Sequence, residues 1–263
     1  MSESPRTAVP AGQEAAIRAD AAPLSWRPLL LQLAGILLVG VALSVWLAVA
    51  DLSDTERTTL SPASLAGYTR EHLALTGLSA LIVLLIAVPL GVLLTRRHLA
   101  RFNGPVLALA NFGQAAPAVG LVVLLAFWLG FGFRAAVAAL VLYAMLPVLR
   151  NTMVGLNQVD PRLVEAGRGM GMSALAVLVR VELPLAVPIM LAGIRTALVL
   201  LVGTGALATF INGGGLGILI TTGVNLNLPR VLVAGSVIVA LLALLVDWAG
   251  RVIEHMARPK GLS

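Results

Sequence analysis

Six long apolar stretches, joined by short polar or Gly/Pro-containing connections, fill most of the chain: Pro28–Ala50, Leu73–Thr95, Val106–Leu129, Ala135–Leu149, Val187–Phe210 and Val231–Gly250. A helix needs about 20 mostly apolar residues to cross the hydrocarbon of a bilayer. The pattern therefore predicts an all-α membrane protein with about six transmembrane helices. Five stays open, because the fourth run is short. The third run carries Asn111, Gln114 and Pro117. Lipid offers a side-chain amide no partner, so these residues are expected on a face that packs on protein or lines a path. A hydrogen bond to another helix is the competing reading for Asn111, and a hydrated cavity is preferred for Gln114.

The flanks read differently. Residues 1–27 mix Ala, Pro, Ser and charges of both signs, the composition of a disordered tail. Residues 28–50 are the first transmembrane helix, residues 73–250 the main membrane core, and residues 251–263 a second tail. Ala48-Val49-Ala50 looks like a signal-cleavage site. The run before it and its leading tail are both long for a cleaved signal, so the helix is read as retained. Cleavage would leave five spans in the same orientation.

Cations set that orientation. Arg6, Arg18, Arg27, Arg96, Arg97, Arg101, Arg150, Arg162, Arg168, Arg180, Arg251, Arg258 and Lys260 share one side, against Arg57, Arg70, Arg134 and Arg230 on the other. Positive charge concentrates in cytoplasmic loops, which places both termini inside.

Composition closes off other classes. The chain is 59% hydrophobic and 11% charged with a mean hydropathy of +0.98, far from a soluble domain at about a quarter charged. Its net charge of +6 flanks apolar runs, as in membrane helices, and does not call for nucleic acid. With no cysteine there is no disulfide or thiolate metal site, and His72, His98 and His255 lie at separate membrane edges without carboxylates at ligand spacing. No metal is expected. The only lysine is Lys260, so no phosphate-binding Gly-Lys-Ser/Thr loop exists. Gly203-Thr204-Gly205 falls inside an apolar run and reads as close helix packing. Asp247 is the only acid within a predicted span, which leaves no carboxylate pair for intramembrane catalysis. A transporter subunit that binds no cofactor is the expectation, and an enzyme is not.

Between the fourth and fifth runs, residues 150–183 form the one sizeable inside segment that reads as structured. Asp160 is a good cap with Pro161 at the first helical position. The short helix continues through Glu165 and Ala166, and Gly167, Gly169 and Gly171 are expected to end it. Ser173 caps a second helix through Leu183, closed by Pro184. A docking element and a plain linker are both consistent with this pattern.

Glu165-Ala166-Gly167, three residues, Gly171, nine residues, then Val181-Glu182-Leu183-Pro184 resembles the signature loop of ATP-binding-cassette (ABC) importer permeases. The departures are Gly167 in place of Ala, which is expected to end the docking helix early, and Val181 in place of Ile. Further stretches resemble the osmoprotectant subfamily: Pro89-Leu90-Gly91, Gln114-Ala115-Ala116-Pro117, Pro147 to Thr152, Gly193 to Ala197, and Gly213-Gly214-Gly215-Leu216-Gly217. Methionine-type permeases share the loop and the Gly-rich stretch.

The resemblance implies an ABC type I importer permease fold in a bacterial inner membrane, moving glycine betaine, choline, carnitine or a related amine. It implies a separate ATPase subunit, an extracytoplasmic solute-binding protein and a second permease subunit, the same chain or a homologue. Coupling would fall to Asp160, Pro161, Glu165, Ala166, Gly167, Gly171, Leu183 and Pro184. Asn212, Gly213, Gly214, Gly215 and Gly217 would form an irregular turn beside the solute path. Competing classes are a permease for a methionine-like amino acid and a stand-alone secondary transporter or channel. The last usually needs ionisable groups at mid-membrane, and only Arg195 and Asp247 come near. Those two are expected to pair near the cytoplasmic face. Snorkelling of Arg195, or its pairing with Glu165 or Glu182, is the alternative.

Overall fold

The computed structural model describes residues 26–96 and 98–257. The two tails, apart from their innermost residues, and Arg97 therefore lie outside the described residues. Five helices are long and apolar enough to span a membrane: α1 (Trp26–Val49), α3 (Pro62–Leu94), α6 (Phe133–Asn157), the α8–α9 run (Ala174–Ile211) and α11 (Pro229–Ala257). A sixth crossing is a broken one. Its halves, α4 (Asn103–Ala115) and α5 (Ala118–Leu129), meet at 102°.

That bend falls where Pro117 breaks the third run. Ala116 is extended at ψ 141°, as a residue before proline prefers, and Pro117 lacks the N–H to carry the helix on. The second and fourth spans are also longer than the apolar runs suggest. Ser61 caps α3 twelve residues before the run, placing Arg70, Glu71 and His72 inside a helix. α6 passes Leu149 and carries Arg150 to Thr152 on its last turns, so the connecting segment starts only after Asn157.

α6 is the central helix. Ala135, Ala136, Ala139, Leu140, Ala144, Val148 and Leu149 are buried against α3, α4, α5 and α9 (Leu183–Gly205). Small residues set the approach. A Cβ at Gly91 would stand 2.8 Å from Thr152 Cβ, and one at Gly155 would stand 3.0 Å from the Ala186 carbonyl. Lipid tails are as apolar as leucine, so close backbone packing is what associates such helices. α11 packs on α9 and on the short α10 (Gly217–Asn225), a helix that the pattern of runs does not foreshadow. α1 touches mainly α11. Gln32 Nε2 donates to Asp247 Oδ2 at 3.0 Å, and Trp248 Nε1 donates to the Leu29 carbonyl at 2.9 Å.

Candidate functional site

The connection after α6 builds the first candidate region. Asp160 caps α7 (Pro161–Gly169), its carboxylate accepting from the Arg162 N–H at 2.9 Å. The helix stops through two bonds. The Gly171 N–H reaches the Arg168 carbonyl at 2.9 Å, and the Met172 N–H reaches the Gly167 carbonyl at 3.1 Å. This closing pattern requires a left-handed residue, and Gly171 supplies it at φ +82°. Gly167 does not end the helix early. It is buried inside the last turn, where a Cβ would meet Val177 Cγ2 at 3.3 Å, and its bareness lets α7 lie on α8 (Ala174–Val177).

Ser173 caps α8 as its position suggests, accepting from the Ala176 N–H at 3.3 Å. Pro184 does not close that helix. A π-helical turn, Leu178–Glu182, widens the coil and leads directly into α9 (Leu183–Gly205). The missing N–H of Pro184 then falls in a first helical turn, where it costs nothing.

Outward from this segment stand Arg162, Leu163, Glu165, Ala166, Met170, Leu175 and Val179. Inward, Val164 joins Leu156, Val159, Leu183 and Ala186 in a small core. Glu182 is buried and held by Arg96 from the end of α3, Nη1 donating to Oε1 at 3.2 Å and Nη2 to Oε2. This clamp takes up one of the partners considered for Arg195.

Arg195 instead reaches α11. Nη1 donates to Asp247 Oδ1 at 2.8 Å, and Nε lies 3.4 Å from Glu254 Oε2. Asp247 also accepts from Arg251 Nε at 2.8 Å and from Gln32, so the pair is the centre of a cluster. Gly250 makes room for it: a Cβ there would lie 2.8 Å from Arg195 Cγ.

The opposite end of the bundle holds the second region. A 3-10 turn, Ala206–Ile211, follows α9, and Asn212 reverses the chain in the left-handed conformation at φ 60°. Gly214 and Gly215 follow at φ +81° and +92°. Most of the irregular turn is buried, Asn212 itself being exposed: Ile211 and Leu216 are fully enclosed, and a Cβ on Gly217 would overlap the Ala206 carbonyl oxygen. Two α3 residues hold it. Glu71 Oε2 accepts from the Gly215 N–H at 3.1 Å. His72, fully buried, donates from Nε2 to the Val202 carbonyl at 3.0 Å. Its ring packs on Gly205, a Cβ at which would lie 3.2 Å from Cε1, while Gly203 has open space around it.

Around the bend, Asn111 lines a cavity with Leu107, Ala108, Leu146 and Arg150. Gln114 is half-buried in the last turn of α4, and Pro117 is exposed at the corner.

Sequence reasoning missed Glu71, His72, Arg96 and a corner near the Gly-rich end. There Ser53 and Glu56 cap each other across the first turn of α2 (Asp54–Thr59), and Arg230 Nη1 sits 3.4 Å from Glu56 Oε2. The Ser-x-x-Glu spacing was a readable signal for that cap. The contacts of Glu71, His72 and Arg96 had no local one. Among the described residues no group of three or more His, Cys, Asp or Glu is placed to hold a metal.

Residues 87–258 match the family described as "Binding-protein-dependent transport system inner membrane component". The chain is 41% identical over 194 residues to the glycine betaine/carnitine/choline transport system permease protein OpuCB of Bacillus subtilis (strain 168), covering 74% of this chain and 88% of that one. It is 40% identical over 203 residues to the osmoprotectant import permease protein OsmW of Salmonella typhimurium (strain LT2), covering 75% and 94%. In structure it resembles a chain of the MetNI methionine ABC transporter in an inward-facing conformation, with a TM-score of 0.67 at 25% identity over 79% of this chain and all of that one. The chain belongs to the family of inner-membrane components of binding-protein-dependent transport systems.

Proposed function

We propose that this chain is the membrane-spanning permease subunit of an ABC importer for small osmoprotectants such as glycine betaine, choline or carnitine. The observation that carries the reading is the α7–α8 segment. It is a capped helix fixed from behind by Val164 and the Arg96–Glu182 clamp, and among the described residues it presents Leu163, Glu165, Met170 and Leu175 exposed on its outer side. A rigid element with an exposed apolar and charged face suits a partner that must push on it. In this reading the α7 end and both termini are cytoplasmic, and a separate ATPase subunit docks there. The Gly-rich turn faces the outside, where a binding protein delivers solute. Two permease subunits enclose the path, with Asn111, Gln114 and Pro117 toward it.

The test is uptake by the complete transporter in a bacterium lacking its own osmoprotectant importers. ATP-dependent accumulation of labelled glycine betaine, choline or carnitine is expected, with growth rescue at high osmolarity. Accumulation of methionine alone would move the chain to the amino-acid permeases. Uptake that persists without the ATPase subunit would overturn the importer reading.

A further inference from the structure

Two arginines on span helices, Arg195 and Arg150, differ in their surroundings. Arg195 on α9 is neutralised by Asp247 and Glu254. Arg150 stands seven residues before the end of α6, and among the described residues no carboxylate lies within ion-pair distance of it. A cation inside a span is expensive unless an anion or water meets it. Arg150 borders a cavity of about 190 Å³ between α4 and α6, whose other walls are Leu107, Ala108, Leu146 and the side chain of Asn111.

We propose that this cavity is a solute subsite in which Arg150 and Asn111 take the carboxylate of a small zwitterion. The inference rests on the proposed import of methylated amines and names which of them the site favours. A guanidinium offers a planar fork that matches both oxygens of a carboxylate, and the Asn111 amide adds a donor beside it. Leu107, Ala108 and Leu146 give a methylated head an apolar wall. The same guanidinium repels a solute that carries only a positive charge. Glycine betaine and carnitine therefore fit, and choline, which has no carboxylate, lacks the contact that holds them.

The test is equilibrium binding of labelled glycine betaine and labelled choline to the purified permease–ATPase complex in nanodiscs of neutral lipid, without binding protein. Wild type should bind glycine betaine more tightly than choline. R150Q should raise the glycine betaine Kd about 10–100-fold, the worth of one charge-assisted contact. R150K should recover part of that loss, and N111A should cost less than R150Q. An unchanged Kd in R150Q, or no saturable glycine betaine binding by wild type, overturns the subsite. A second arm adds phosphatidylglycerol. If wild type retains that lipid, R150Q does not, and glycine betaine fails to compete, the anion is a headgroup phosphate and the solute proposal fails. Uptake by the complete transporter is run in parallel. Uptake with Arg150-independent binding sinks the subsite alone, and Arg150-dependent binding without ATP-driven uptake sinks the import reading alone.

Discussion

The chain reverses at both ends of the bundle by the same backbone device, in opposite surroundings. After α7 the left-handed residue is Gly171, and Met170 beside it is 72% exposed. After the 3-10 turn the left-handed residue is Asn212, which is itself exposed, but Ile211 before it is completely buried. The first reversal is held by its own sequence: an aspartate cap, a leading proline and a glycine stop. The second is held by residues far away in the chain, with Glu71 bonding Gly215 and Ala206 pressed against Gly217. One end is therefore shaped by its own local sequence and offers a surface. The other is locked to α3 and shifts only if α3 shifts with it.

Substituting glycines at the two ends should expose that contrast most strongly. Gly217→Ala forces the Ala206 backbone to move, and overpacking of this kind costs roughly 1–3 kcal/mol or more. Gly215→Leu adds the strain of a left-handed side chain, about 1–3 kcal/mol. Both are expected to abolish transport, with Gly215→Leu still inserted in the membrane. Gly169→Ala in α7 meets open space and should leave the melting temperature of the purified complex unchanged or slightly raised. Equal losses at both ends would erase the distinction.

A smaller effect is expected at the Arg195 cluster. Arg195→Ala leaves Asp247 with Arg251 and Gln32, so the cost should lie between about 1 kcal/mol for an exposed pair and about 3–5 kcal/mol for a buried one. Exchanging the charges, Arg195→Asp with Asp247→Arg, sets the new aspartate beside Glu254 and the new arginine beside Arg251. Function should return only in part relative to the worse single mutant. Full recovery would reduce the cluster to an isolated pair.

The smallest effect belongs to the α2 corner. The Ser53 backbone N–H, with lesser help from the Ser53 hydroxyl and Arg230, holds the Glu56 carboxyl below its usual range, against the opposing effect of burial. A carboxylate with a lowered folded-state pKa stabilises above its unfolded value, and that contribution fades as pH falls through the folded one. The wild-type complex should therefore lose more stability than Glu56→Gln between neutral pH and about pH 3. Parallel melting curves for the two proteins would remove Glu56 from the account.

The same contrast explains what the sequence discloses. The Asp160-Pro161 start, the Ser173 cap and the Gly171 stop are local, and each can be read from neighbouring residues. Asn212 and the glycines after it were readable as an irregular turn. Their partners, 144 positions away in the case of Glu71 and Gly215, were not. Where local signals misled, tertiary geometry was responsible. Pro184 looked like a stop until a π turn carried the helix past it. Pro117 was readable as a break in the third span, but the 102° between its halves was not. Arg195 and Asp247 could be matched because two lone charges in apolar runs have few other options. Glu254, Arg251 and Gln32 were hidden by their places near the membrane edge.

The central claim is that the exposed α7 end receives the work of ATP hydrolysis while the buried end does not contact the ATPase. It is tested most directly in proteoliposomes holding the complete transporter, with ATP turnover and solute uptake measured together for Glu165→Lys and Gly171→Val. Both variants should assemble at wild-type levels and still hydrolyse ATP, while uptake per ATP falls at least about tenfold, a change of about 1.4 kcal/mol in coupling. Wild-type uptake and wild-type ATP turnover in both variants would contradict the account and reduce α7 to a linker between two spans.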